Sequence, residues 1–198
     1  MTYNFSHLAT VDHMTHISNL EGILANGLLS HNNPYQKVDI SNEAVNRRRS
    51  SREPIYNKSL HDYVPFYFNP RNAMLYRNQQ CFSNGLIIVL GFNTKIISTP
   101  GAVFTNGNAA RSDTCFSSEK TFLETLNWDK VFSPRWVNYG QHDESIKTAM
   151  MSELLIHGGV SIDDLEVIFC ATNESKQYIE KNMNIANVSV EVCPQLFF

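Results

Sequence analysis

Asp62-Tyr63-Val64-Pro65-Phe66-Tyr67-Phe68-Asn69-Pro70-Arg71-Asn72-Ala73-Met74-Leu75 is the stretch on which the fold turns. Tyr63–Phe68 is dense in aromatic residues, which favour strands, and alternate side chains are expected to pack inward. Pro65 interrupts the run and cannot donate to a ladder, so the strand is expected at a sheet edge or at a bulge. The Asn and Pro residues that follow predict a loop over Asn69–Leu75.

Upstream, Val11–Ile17 alternates as a strand, and Asn19–Leu28 reads as a short helix. Leu20, Ile23 and Leu24 make the apolar face of that helix, and Gly27 stands at its stop. Residues 30–39 read as loop; Ser41-Asn42-Glu43 caps a second helix that runs into Arg47-Arg48-Arg49 and ends before Pro54. Downstream, strands are expected at Leu86–Leu90, Ala102–Thr105, Glu153–His157, Leu165–Ala171 and Val188–Cys193. Phe116–Leu126 and Glu144–Met151 have helical spacing, Phe132–Asp143 reads as loop, and Asn173 is expected to cap a helix to Met183. Strands and helices do not alternate as in a doubly wound parallel sheet, so the class is α+β.

With 198 residues, the chain is expected to form one domain over 1–198, and 42% hydrophobic content is enough to fill its core. A formal net charge of -3 argues against a generally basic coat protein or a polybasic membrane anchor; phosphate contacts must come from a local patch. Cys81, Cys115, Cys170 and Cys193 have no zinc or redox spacing and read as reduced thiols. No His-Glu-x-x-His helix appears, and no metal is expected. Met1–His7 lacks the basic and apolar parts of a signal peptide, and the run Leu86–Leu90 is too short to span a bilayer. A soluble, cytoplasmic protein without membrane contact is expected. Gly-x-Gly-x-x-Gly, Walker and Gly-x-Ser-x-Gly motifs are absent, so any nucleotide is held in another kind of cradle.

Three segments in order resemble the DarT family of bacterial toxins, which are DNA ADP-ribosyltransferases. They are His13-Met14-Thr15-His16-Ile17-Ser18-Asn19-Leu20 with its following helix, the aromatic strand and Asn-Pro-Arg-Asn run quoted above, and Lys147 through Ser152-Glu153-Leu154-Leu155-Ile156. The resemblance implies an ADP-ribosyltransferase-like fold of two small, roughly perpendicular sheets with NAD in the cleft between them. It also implies transfer of ADP-ribose from NAD to a base in single-stranded DNA, with thymidine the expected acceptor, and a macrodomain-type antitoxin that strips the mark off. NAD is then the substrate, with no metal. Acceptors of other kinds (guanosine, RNA or protein) remain the alternative, as does a non-catalytic nucleotide-binding module, against which the presence of Glu153 argues.

Breaking the nicotinamide–ribose bond builds positive charge on the ribose, which a fixed carboxylate stabilises. Glu153 matches the family's catalytic Glu. His13 and Thr15 match positions that grip the ribose and nicotinamide, and Tyr67 is expected to face the nicotinamide. Asn19 either caps its helix or approaches NAD. Arg47-Arg48-Arg49-Ser50-Ser51-Arg52, the one basic cluster, is either a solvated face or a source of phosphate contacts with one Arg in the active site. Arg49 aligns best, with Arg48 its rival and a DNA contact. An arginine stays protonated near neutral pH, so its part is to clamp charge and polarise the acceptor base. Arg71 and Met74 are expected against DNA, with Lys147 on a phosphate. Arg135, Trp136 and Tyr139 are the parts a base-stacking loop needs, the alternative for Trp136 being burial in a packed loop.

Overall fold

A computed structural model describes residues 8–198 except Asn84, Tyr139, Ala186, Asn187 and the side chain of Asn138. Its strands are β1 (Thr10–His16), β2 (Leu28–Leu29), β3 (Tyr63–Tyr67), β4 (Ile87–Asn93), β5 (Val103–Thr105), β6 (Phe116–Ser117), β7 (Val137–Asn138), β8 (Gln141–His142), β9 (Glu153–His157), β10 (Gly159–Val160), β11 (Leu165–Cys170) and β12 (Ser189–Val192). Its α-helices are α1 (Leu20–Asn26), α2 (Glu43–Arg49), α3 (Ala73–Cys81), α4 (Trp128–Val131), α5 (Glu144–Met150) and α6 (Asn173–Asn182).

Eight of the strands form one ladder in the order β12-β11-β4-β1-β3-β9-β5-β6. β4 lies near the middle of one half, and its run Ile87-Ile88-Val89-Leu90 is buried on both faces, as an apolar β-branched run demands. Gly91 continues it because a Cβ there would come within 2.7 Å of Val167, beside the register shift of β11. β1 pairs with β4 at every residue from Thr10 to His16, yet meets β3 only at Asp12↔Tyr67. β3 pairs with β9 along its whole length. The two sheets implied by the resemblance are therefore two halves of one ladder joined at a single residue pair, and beyond that pair β1 and β3 part to leave a cleft.

Pro65 fits this junction without a bulge. The Pro65 carbonyl accepts a hydrogen bond from the His13 side chain, so the Pro65 nitrogen, on the same side of the strand, also faces the unpaired edge and needs no donor. Val64, Phe66 and Phe68 point into the main core with Val11, Leu90, Phe92 and Leu154, while Tyr67 packs into a second cluster with Met14, Leu75 and Met151.

Four expectations need correction. Asn69–Leu75 is not all loop: the Asn72 side chain accepts from Met74 and Leu75 amides and starts α3, so Met74 and Leu75 are helical. Phe116–Leu126 divides into β6 and a 3-10 turn at Lys120–Thr125 that buries Leu123. Phe132–Asp143 contains the short β7–β8 pair. The cap of α6 is Thr172, not Asn173; its hydroxyl accepts from the Ser175 amide. Among the described residues, no helix is long and apolar enough to cross a membrane.

Asp12, at the junction, is 5% exposed and accepts one hydrogen bond from the Thr10 hydroxyl. Burial pushes its carboxyl up to about 7, with the Thr10 bond pulling the other way. Below about pH 4 the group is neutral in the folded and the unfolded chain alike. Between there and about 7 the unfolded chain releases the proton and the folded chain keeps it, so stability falls as pH rises through that window. Asp12→Asn keeps the acceptor for Thr10 and removes the titration. The variant is expected to be more stable at pH 8 by roughly 2–4 kcal/mol. Urea melts of both proteins at pH 5 and pH 8 check this; an equal change at both pH values would contradict it.

Candidate active site

The cleft is bounded by β1, β3, α1, α2 and the loop between α1 and α2. α2 supplies one wall through its spacing. Asn42, Val45, Asn46 and Arg49 recur at i, i+3, i+4 and i+7, all four line the cleft, and the intervening Arg47 and Arg48 are exposed. Helical geometry thus separates the rivals: Arg49 faces inward and Arg48 faces solvent.

Arg49 reaches across to Glu153. Its Nη1 donates to the Glu153 carboxylate at 3.2 Å, and the two side chains are 12% and 0% exposed. Glu153 opens β9 opposite Tyr67, and the Thr105 hydroxyl accepts from its backbone amide at 3.1 Å. The Ala109 amide approaches the other carboxylate oxygen at 3.4 Å. Burial raises the Glu153 carboxyl above its ordinary range, and Arg49 pulls it part of the way back. Arg49 Nη2 is buried with no hydrogen-bond partner. A buried guanidinium nitrogen left unpaired is costly, so this one suits an oxygen supplied by a ligand.

His13 lines the same cleft, on the strand opposite Pro65. Burial lowers its imidazole to about 4, the Pro65 bond opposes that, and Arg49 adds to it. The ring is therefore neutral at pH 7. Because its Nδ1 lies 2.8 Å from a carbonyl oxygen it must donate there, leaving Nε2 as an acceptor. Tyr67, 6% exposed, also lines the cleft, its hydroxyl pushed far up by burial and then by the nearby Glu153 charge.

Thr15 is placed differently from expectation, whereas Asn19 lines the cleft. Thr15 is buried and lies outside the cleft lining; its hydroxyl accepts from Asn19 Nδ2 at 3.1 Å. Asn19 makes no side-chain cap. Its Nδ2 also donates to the Val38 carbonyl, and its Oδ1 accepts from the Lys37 and Val38 amides. With those bonds the amide is engaged in holding the loop at 37–38, which leads into Asp39 and Ile40 on the cleft wall.

The residues expected on DNA scatter around this cleft. Met74 lines it from α3. Arg71 donates from Nε to the Pro134 carbonyl at 3.4 Å and lies 4.0 Å over the Phe198 ring. Arg135 is exposed. Trp136 is 7% exposed and packs its ring against Tyr76 and Phe198, so it is the buried alternative that holds, and Trp136 presents no open face to a base. Lys147 pairs with Glu144 one turn earlier at 3.4 Å. Tyr139 falls outside the described residues.

Sequence reasoning missed part of the wall. His31 and His61 stack at 4.9 Å, and His61 Nε2 lies 2.8 Å from Asn46 Oδ1, which steadies α2. Asn108 lines the cleft next to the Ala109 amide that faces Glu153. His31 and Asn108 come from loops and His61 from a 3-10 turn at Leu60–Asp62, and no periodicity or motif marks them. Among the described residues, no group of three or more His, Cys, Asp or Glu comes together to hold a metal.

A buried carboxylate just behind the cleft lining, paired with an arginine that lines the cleft together with a neutral imidazole, is a site for stabilising a cation formed on a bound ligand. Comparison with known proteins agrees in fold and sequence. A "DNA ADP-ribosyl transferase-DNA ADP-ribosyl glycohydrolase fusion protein" of Thermosipho africanus is 28% identical over 200 residues, covering 94% of this chain and 48% of that protein. A "DNA ADP-ribosyl transferase" of Thermus aquaticus is 34% identical over 137 residues, covering 64% of this chain and 62% of that protein. This chain thus spans about half the length of the first relative and under two thirds of the second. The structure of Thermus sp. 2.9 DarT in complex with ADP-ribosylated ssDNA superposes with a TM-score of 0.84 over 100% of both chains at 23% identity, which shows the fold. The family model described as "ssDNA thymidine ADP-ribosyltransferase, DarT" matches residues 13–198, and the chain belongs to the DarT family.

Proposed function

We propose that this protein is one domain that transfers ADP-ribose from NAD to a thymine base in single-stranded DNA, releasing nicotinamide. The observation that carries the proposal is the buried Arg49–Glu153 pair at the cleft. As the nicotinamide–ribose bond breaks, its electron pair leaves with nicotinamide and positive charge grows on the ribose. Glu153 sits ready to stabilise that charge in a site closed to water, where fixed charges act most strongly. Arg49 holds the carboxylate in place and offers Nη2 to an oxygen of NAD or of the acceptor base. His13 Nε2 accepts from a ribose hydroxyl or the nicotinamide amide, and Tyr67 packs beside the nicotinamide.

Arg48 and Arg135, both exposed, and Arg71 with Met74 at the α3 start are the DNA contacts this proposal uses. Lys147 serves a phosphate once its exposed pairing with Glu144 gives way, which costs little. Asn19 lines the cleft and fixes the loop at 37–38, and Thr15 acts through its hydrogen bond with Asn19. The protein works in the cytoplasm. Its partner is a glycohydrolase of the kind the Thermosipho relative carries in its own chain, which removes the mark.

Single strands are the preferred substrate, because pairing hides the acceptor edge of thymine and extruding it costs a few kcal/mol. The net charge of -3 gives little general pull on duplex phosphates. Labelled NAD offered in parallel with single-stranded DNA, its duplex, RNA and protein is expected to mark the single strand at least about 100-fold faster than the duplex. Equal initial rates on duplex, or label only in RNA or protein, would overturn the proposal.

A further inference from the structure

Tyr76 and Phe198 are large rings left 45% and 42% exposed, and they touch, with ring centroids 5.2 Å apart at 81°. Trp136 backs both of them, at 5.8 Å from Tyr76 and 5.5 Å from Phe198. Arg71 lies 4.0 Å over the Phe198 ring, and its Nη1 is buried with no hydrogen-bond partner in the chain. The Phe198 backbone is clamped to the α3 surface, where its amide donates to Gln79 Oε1 and its carbonyl accepts from Gln79 Nε2. Three rings and a guanidinium from residues far apart in sequence thus build one rigid surface, with two rings still open to solvent.

The topology puts that surface beside the site. β3 ends at Tyr67 and β9 begins at Glu153, and the two residues are paired. The segment leaving β3 continues through Arg71 into α3, whose Met74 lines the cleft and whose Tyr76, two residues on, projects from another face of the helix. The segment entering β9 runs from Trp136, whose carbonyl accepts from the Asp143 amide, into α5, which Asp143 caps. Both segments leave the sheet at the end where Glu153 stands.

We infer that Tyr76 and Phe198, backed by Trp136 and flanked by Arg71, form a stacking subsite for nucleotides next to the acceptor base in single-stranded DNA. Unpaired bases stack on exposed aromatic faces without regard to sequence, and a neighbouring guanidinium takes the phosphate between them. Exposed Arg135, one residue before Trp136, extends the positive rim. A protein of net charge -3 that keeps open rings and arginines together on one surface has the complement of a flexible anionic strand there. The subsite rests on single-stranded DNA being the acceptor, and its test does not depend on catalysis.

Binding of a fluorescent single-stranded oligonucleotide to the full chain is measured by anisotropy without NAD, alongside the same strand with abasic sites flanking one thymine. Removing the flanking bases is expected to weaken wild-type binding about tenfold, the worth of one stacked base. Tyr76→Ala with Phe198→Ala is expected to weaken binding of the intact strand by a similar factor and to be indifferent to the abasic change. Tyr76→Trp and Phe198→Trp keep a ring and are expected to bind as wild type, which separates stacking from damage to α3. Abasic sites costing wild type and double variant equally would overturn the subsite, as would Trp replacements as weak as the alanines. If wild-type protein binds no single strand at all, the proposed acceptor fails first.

Discussion

Glu153→Gln is expected to lower DNA modification by about 10²–10³-fold, the loss seen when one preorganised charge-stabilising group is removed. The substitution is close to isosteric. The Gln oxygen still accepts from Arg49, so the 3.2 Å contact survives, while the Gln amide nitrogen replaces the oxygen that accepts from the Ala109 amide at 3.4 Å, and that longer contact is lost. What disappears is the negative charge, which matters only when the ribose becomes positive, so the effect belongs in kcat rather than in KM for NAD. In the wild type, burial raises the Glu153 carboxyl, so activity is expected to fall on the acid side at a higher pH than an ordinary glutamate would give. The Gln variant has no such limb. Initial rates with labelled NAD across pH, with a thermal melt as fold control, check both parts; a folded Gln variant at near-normal rate would sink the assignment.

Arg49→Ala tests the other half of the pair and has a different signature. Arg49 is the nearest opposite charge to a carboxylate that is 0% exposed, and its presence holds the Glu153 carboxyl down against burial. Without it the carboxyl rises further towards its neutral form, which is cheaper than leaving a buried charge unpaired. Transfer at pH 7 is expected to drop by about 10²-fold or more. Because the carboxylate is still present, part of that loss returns as pH rises and Glu153 ionises, which the Gln variant cannot do. Arg49→Lys retains the charge but not the forked geometry, and is expected to fall between the two. An Arg49→Ala rate flat in pH would mean that the arginine does not act through Glu153. Arg48→Ala on the outer face of α2 should leave the pH profile in place.

The parts of the molecule legible in the sequence are those set by short-range pattern. β3, β4 and β9 follow from compact apolar runs, and α2 from a capping Asn42 followed by helix formers. The register of the arginine cluster was open in the sequence, where Arg48 and Arg49 are neighbours; only the cleft on one face of α2 separates them. α3 was hidden because Asn and Pro mark turns and helix caps alike, and Asn69-Pro70-Arg71-Asn72 holds a turn that ends in a cap. Trp136 reads as a stacking residue in isolation. Its burial depends on Tyr76 and Phe198, some sixty residues away on either side, which no local pattern reveals. Asn19 was open between capping and ligand contact; it makes no cap, lines the cleft, and fixes a loop eighteen residues on. His31 and His61 meet only because a loop and a 3-10 turn fold onto α2.

The central claim is a covalent change on one base, and intact mass spectrometry of the acceptor reads it directly. A single-stranded oligonucleotide with one thymine is incubated with the protein and NAD, beside the same strand with that thymine replaced by cytosine. The account predicts that the first strand gains the mass of one ADP-ribose, that nicotinamide appears in equal amount, and that the second strand is unchanged. An added ADP-ribose on the strand without thymine, or nicotinamide released with no gain of mass on either strand, would contradict it.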